Sequence, residues 1–385
     1  MSQPDENQLT RPWVDWTARQ IHDPVWRLRY LQSVAPAPLK ASRWKSRKTI
    51  GLLTLLALGL VAAPLSLRRL GAANAAPPVL PELPAASALP PIHLVEPAVS
   101  PSTDVWSVEK ASDFEVYSNG LRIENQYAVR HRPRAYVAFS MAGAEGRGGE
   151  KRTDPAGIVY HTTESLQAPF ESSQNNRLKQ VGESLIDYVR RRRCYNFLID
   201  RFGRVFRIVN ESDAADHAGH SVWADDRYFY VNLNDSFIGI SFEAQTGAGE
   251  AATSAGNAQV RAAGMLTEML RSRYKIPGRN CVTHAQVSVN PANMQIGYHV
   301  DWASSFPFER LGLPDNYATP SPAISLFGFA FDASFEQRAG VRLAAGASAA
   351  DRGLVERAEA AHLSLAAYRK ALHRRYLKIL ASQRG

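Results

Sequence analysis

Three places in the chain put metal-ligating side chains at the end of a strand or loop. Ile158–His161 is a short apolar run closing on a histidine, and CVTHAQV (281–287) carries His284. GYHVDWASSFPFERL (297–311) sets His299 and Asp301 one residue apart, ahead of an aromatic-rich run with the look of a helix start. Histidines on different strands can converge at one edge of a sheet, and two imidazoles with one carboxylate make a zinc set that leaves a fourth position for water. Each residue also has a plainer reading, as a satisfied core histidine or as a pair that caps and solubilises a helix. Cys281, three residues before His284, raises a Cys–His nucleophilic pair, but its neighbours form no activating arrangement.

The elements that must position these groups are legible from about residue 104. Leu178, Val181, Leu185, Ile186 and Val189 form a helical stripe ending in Arg190–Arg193, a run that complements a helix C-terminus. YNFLIDRFGRVFRIV predicts a hairpin turning at Phe202-Gly203, FIGISFEA predicts a strand, and Val260, Ala263, Leu266, Met269 and Leu270 mark a helix stopped by KIPG. CVTHAQV reads as a further strand. Strands interleaved with helices imply an α/β fold, a mixed central sheet flanked by helices. Beyond 350, the residues Leu354, Ala358, Ala361, Leu365, Tyr368, Leu372, Tyr376 and Ile379 recur at spacings of three and four with one slip. They predict one long amphipathic helix that packs on the domain, pairs with a copy of itself, or lies on a membrane surface.

Charge does not point to nucleic acid. The net +9 is carried by the two ends, nine Lys and Arg against four Asp and Glu in 1–48 and eight against three in 351–385, so the middle is near neutral. Two cysteines, Cys194 and Cys281, are too few for a disulfide scaffold or a thiolate zinc site, which leaves either one bridge or two small buried residues. IGLLTLLALGLVAAPLSL (50–67) is uncharged and long enough to span a bilayer, with five Lys and Arg in 40–48 before it and two just after. We expect a basic cytoplasmic segment over 1–48, a single-pass anchor over 49–69, an Ala/Pro-rich linker over 70–103, a catalytic domain over 104–320 outside the cytoplasm, and a C-terminal extension over 321–385. A cleaved leader ending near ANA (73–75) is the other reading of the apolar segment.

Six motifs in order over 157–311 resemble the type 2 N-acetylmuramoyl-L-alanine amidases, a family that includes phage lysins and the peptidoglycan recognition proteins. GIVYHTTES is similar to the strand ending in the first zinc histidine, CYNFLIDRFGRVFRIV to the hairpin (Asn196 standing where many members have histidine), and DHAGHSVW to a His-Ala-Gly-x-Ser-x-Trp loop. NDSFIGIS resembles Asn-Asp-x-Ser-Ile-Gly-Ile-Glu, THAQVS the strand with the second zinc histidine, and DWASSFPFERL the Asp-Pro-Gly-Pro-x-Phe-Pro-Trp-x-x-Leu segment. The resemblance implies Zn2+ held by His161, His284 and Asp301, and peptidoglycan as substrate, cut between N-acetylmuramic acid and L-alanine. His299 takes the place of the residue facing the scissile carbonyl; His217, Ala218, Gly219, Trp223 and Ser241 would line the groove, although His217 reads equally as a loop-packing residue. Two departures matter. Trp302-Ala303 replace the Pro-Gly after the aspartate, so that loop is expected to bend differently. Ser241 replaces the catalytic glutamate, and Glu243, two residues on and on the same strand face, is expected to take the base role with help from Tyr195. Loss of that glutamate also suits a tethered module that binds peptidoglycan without cutting it.

Overall fold

The computed structural model describes residues 104–142, 149–246 and 255–383. The apolar segment 50–67 and the linker to 103 lie outside them. Among the described residues no helix is long and apolar enough to cross a membrane.

A mixed eight-stranded sheet carries the domain. Its strands are β1 Ser107–Lys110, β2 Phe114–Tyr117, β3 Arg122–Glu124, β4 Gly157–Thr162, β5 Phe197–Ile199, β6 Val205–Arg207, β7 Phe237–Phe242 and β8 Cys281–Thr283, in the spatial order β1-β2-β3-β6-β5-β7-β4-β8. The four strands β5, β7, β4 and β8 run parallel to one another, and β5 and β6 form the antiparallel hairpin turning at Gly203, whose φ of 81° suits glycine. A smaller antiparallel sheet of Val222–Ala224, Tyr228–Val231, Tyr136–Ser140 and Gly149–Arg152 stands apart from it. β4 and β7 are buried at every residue, as a central parallel pair covered on both faces requires.

The two faces are covered differently. Ile158, Tyr160, Ile238, Ile240 and Phe242 share a core with helix α2 (Asn257–Tyr274), which contributes Ala263, Leu266, Met269 and Leu270. The opposite face holds Val159, Phe237 and Val282 against Trp223, Tyr230 and Val287. Helix α1 (Asn175–Arg192) lays Leu185, Ile186 and Val189 on Leu198 and Phe206, and ends on Arg193 in the left-handed conformation with three arginines in its last turn.

Three sequence expectations are corrected. The strand at CVTHAQV stops at Thr283. The Thr283 side chain and Gln286 form a reciprocal cap, so His284 opens a short helix α3 (His284–Val287) instead of continuing the strand. The run after Asp301 makes only a short turn of 3-10 helix at Glu309–Leu311, since Pro307 withholds an amide. The long C-terminal helix is two helices, α5 (Val341–Ala360) and α6 (Leu365–Ser382), following a short α4 (Pro322–Phe327). The break falls between Ala361 and Leu365, where the apolar spacing runs on undisturbed, His362 is left-handed and the Ser364 hydroxyl accepts from the Ala367 amide to start a new helix. Both helices pack on the domain: Leu354, Leu372, Tyr376 and Ile379 belong to the same core as Phe327 and Tyr160. Cys194 and Cys281 are both unbridged.

Leu354 is fully buried. Leu354→Ala is expected to cost about 2–5 kcal/mol of unfolding free energy, read from denaturant midpoints. A cost under about 0.5 kcal/mol, the scale of a surface substitution, would contradict the shared core.

Candidate metal centre

The parallel register brings distant residues level. Ser241 of β7 pairs with His161 of β4, and Thr283 of β8 pairs with Tyr160, which sets His284 beside His161 one residue further on. Open α/β sheets bind ligands beyond the carboxyl ends of their strands, where these side chains stand. Asp301 arrives from a loop. Its carbonyl accepts from the Ala285 amide, and the next residue, Trp302, is buried with its indole N–H donating to the His161 carbonyl at 3.0 Å. Trp302 has φ 57°, which proline cannot adopt, so the loop that resembles an Asp-Pro-Gly segment does bend in its own way.

The convergence is tight. Asp301 Oδ2 lies 3.1 Å from His161 Nδ1 and 3.2 Å from His284 Nδ1, and Oδ1 lies 2.9 Å from the latter. One ligand atom from each of the three buried residues falls within 4.8 Å of the others. Ligands about 2.0–2.1 Å from a tetrahedral zinc stand about 3.3 Å apart, so both the donor set and the spacing fit such an ion. Burial alone would raise the Asp301 carboxyl, but the two histidines outweigh it and hold the group well below the usual carboxylate range. Burial, then the neighbouring His284, lowers His161 to about 4 against the pull of Asp301. These shifts favour a carboxylate at Asp301 facing an uncharged His161 imidazole.

The surrounding residues divide clearly. His299 stacks on His284 with ring centroids 4.6 Å apart, and the Tyr195 ring lies 5.1 Å from that of His161. Burial, reinforced by the Asp301 charge, pushes the Tyr195 phenol far up, so it keeps its proton. Ser241 is fully buried, with its hydroxyl beside the Tyr195 phenol. His217 is close as well, its Nδ1 3.1 Å from His161 Nε2.

Other expected site residues are placed elsewhere. Trp223 and Ala218, expected along a groove, are buried in the core; the Trp223 indole donates to Asn280 at 3.2 Å. Gly219 is exposed, with φ 52°. The Glu243 carboxylate accepts from the Arg201 amide at 3.2 Å, which engages it with the β5–β6 turn and not with the histidine cluster. Its pKa is raised, chiefly by burial. Cys281 is buried and its thiol is pushed up to about 12 by that burial, which removes the nucleophile reading. Asn196 staples the hairpin, donating to the carbonyls of Val209, Asn210 and Asp213 and accepting from Gly239.

Two supporting residues escaped the sequence reading. Asn234 lies inside a quoted motif, and its side-chain oxygen accepts from the amides of His217, Ala218 and Gly219, so it shapes that loop. Arg134 is buried and donates to the carbonyls of Glu211, Asp213, Asp235 and Phe237; a lone arginine among 45 Lys and Arg carries no signal of this.

Residues 151–296 match the Amidase_2 family, described as N-acetylmuramoyl-L-alanine amidase. The resemblance read from the motifs is thus borne out over this segment. Similar solved structures include the N-acetylmuramoyl-L-alanine amidase LysC from Clostridium intestinale URNW (19% identity, 49% of this chain and 93% of that one, TM-score 0.27). Another is AmiD from E. coli in complex with anhydro-N-acetylmuramic acid-L-Ala-D-gamma-Glu-L-Lys (20% identity, 60% and 93%, TM-score 0.34). Drosophila peptidoglycan recognition protein LB also matches (13% identity, 43% and 86%, TM-score 0.26). Comparison with curated proteins finds no match.

The burial of His161 has a consequence for stability. Its unfolded value of 6.5 exceeds the folded value of about 4, so between these pH values the unfolded chain holds more protons and stability must rise with pH. The metal-free protein is expected to lose stability steadily as pH falls from 6.5 to about 4, with Asp301 adding a further loss only below its ordinary 3.8. Urea midpoints across this range, with His161→Gln showing a shallower slope, check it; equal slopes in both proteins would refute the assignment.

Proposed function

We propose that the domain hydrolyses the amide between the lactyl group of N-acetylmuramic acid and the L-alanine of the stem peptide in peptidoglycan, with Zn2+ held by His161, His284 and Asp301. The observation that carries this reading is the convergence of those three side chains at the carboxyl ends of β4 and β8, with both histidines inside the segment matching the amidase family and Asp301 just beyond its end. A zinc ion bound there supplies Lewis-acid polarisation of the carbonyl and lowers the pKa of its water to about 7.

The chain's own groups take up the rest. Tyr195, whose proton is held on by burial and by Asp301, donates a hydrogen bond to the oxyanion of the tetrahedral intermediate, a contribution of about 3 kcal/mol in comparable sites. His299, stacked on His284, is the group that accepts a proton from the attacking water and returns it to the leaving amine. This division departs from the sequence expectation, which gave the base role to Glu243 and the oxyanion to His299. The engagement of Glu243 with the Arg201 amide is what favours the change. A second reading, binding without cleavage, draws support from Ser241 in the place of the family's glutamate.

Zinc content and digestion of muropeptides by the purified chain separate the two readings. Catalysis requires about one zinc per chain and released stem peptides, whereas capture of sacculi with no products would leave only binding. His299→Ala is expected to lower kcat by about 100-fold or more with zinc retained. Glu243→Gln should stay within about tenfold of the parent, below the usual contribution of a proton-transfer group; a larger loss at full zinc content would return the base role to Glu243.

We further propose that the uncharged segment 50–67 and the Ala/Pro-rich stretch after it tether the domain outside the cytoplasm, near its substrate. The chain should remain with membranes after alkaline carbonate extraction, and deletion of 50–67 should release it; release of the intact chain would overturn the tether.

A further inference from the structure

We propose that His217 is a positioning residue: by a chain of hydrogen bonds running from the Phe237 carbonyl through His217 to His161, it holds the His161 Nδ1 lone pair toward the metal centre. The proposal rests on the metal reading above, and it follows from which atoms can donate.

The Phe237 carbonyl only accepts. It receives Arg134 Nη1 at 3.0 Å and lies 3.2 Å from His217 Nε2, so His217 must carry its proton on Nε2 to make the second bond. The Arg134 guanidinium on the same carbonyl opposes another positive charge beside it, leaving His217 as the Nε2–H tautomer with a bare Nδ1. That Nδ1 is 3.1 Å from His161 Nε2, which therefore donates. A neutral His161 with its proton on Nε2 has its lone pair on Nδ1, the atom facing Asp301 and lying near His284.

The competing arrangement shows what the relay is for. With its proton on Nδ1, His161 would donate to Asp301 Oδ2 at 3.1 Å, satisfying the carboxylate internally and blocking the ligand position. His217 opposes this by offering Nε2–H an acceptor. Metal-ligating histidines usually orient themselves by donating the other ring N–H to a carboxylate, carbonyl or water; here an imidazole fills that place, itself pinned to a carbonyl. The seat is built for it. A Cβ on Gly239 would come within 2.6 Å of the His217 ring, and Asn234 holds the loop through three amides.

Two measurements on the full chain test this. Long-range proton–nitrogen spectra of the metal-free protein should show both His161 and His217 protonated on Nε2. A proton on His161 Nδ1 would overturn the relay, and this result does not depend on any variant folding. The second is zinc affinity by chelator competition in His217→Asn, His217→Gln and His217→Ala. Asparagine places an acceptor near the Nδ1 position and should keep most of the affinity, whereas glutamine, which reaches toward Phe237, and alanine should lose about 10–100-fold. Equal affinity in all three overturns the proposal. Absence of zinc binding by the parent chain would instead overturn the metal reading, with the spectra still deciding the relay.

Discussion

A buried carboxylate pressed between two imidazole nitrogens is the constraint on which the rest of the structure turns. Asp301 gives up water on entering the domain and gains contacts to the nitrogens of His161 and His284 in return. A charge so placed is costly unless it is paired, and the proposed divalent cation would be shared by the carboxylate and both imidazoles. The surroundings serve to hold this arrangement. Parallel pairing brings His161 and His284 level, and the Trp302 indole ties the aspartate loop to the backbone of the first histidine.

The same economy of placement explains how two family departures are accommodated. Trp302 replaces a proline but gains the hydrogen bond to His161 and a fully buried ring packed against Phe242 and Phe306. Asn196, where a histidine is common, satisfies three carbonyls and one amide at the hairpin base. Both substitutions exchange one anchoring device for another. Ser241 is different: its short hydroxyl sits level with His161 in the register and beside the Tyr195 phenol, where a longer acidic side chain would reach further. This is the position at which the chemistry of the site departs most from its relatives' pattern.

The C-terminal helices enlarge the core around α4. Their apolar stripe was readable because helical periodicity survives in the order of residues. The break between α5 and α6 was less readable. A cap at Ser364 restarts the helix with the apolar spacing still in phase, so two helices imitate one. Likewise CVTHAQV alternates well enough for a strand, and only the reciprocal cap between Thr283 and Gln286 turns it into a helix at His284.

By itself the order of residues determined the class of fold, the three residues that converge at the sheet edge and the likeness to the amidases, since these depend on local patterns and on motifs contiguous along the chain. Tertiary structure alone decided the duties of the neighbours. Glu243 and Ser241 are two residues apart on one strand, yet the carboxylate is taken up by the hairpin amide while the hydroxyl stays beside His161. Trp223 belongs to a matching motif but is core, and Arg134, far away in sequence, reaches the carbonyl on which His217 also rests. Hydrogen bonds of that kind join atoms whose separation along the chain carries no pattern, so they exist only once the sheet has closed its register.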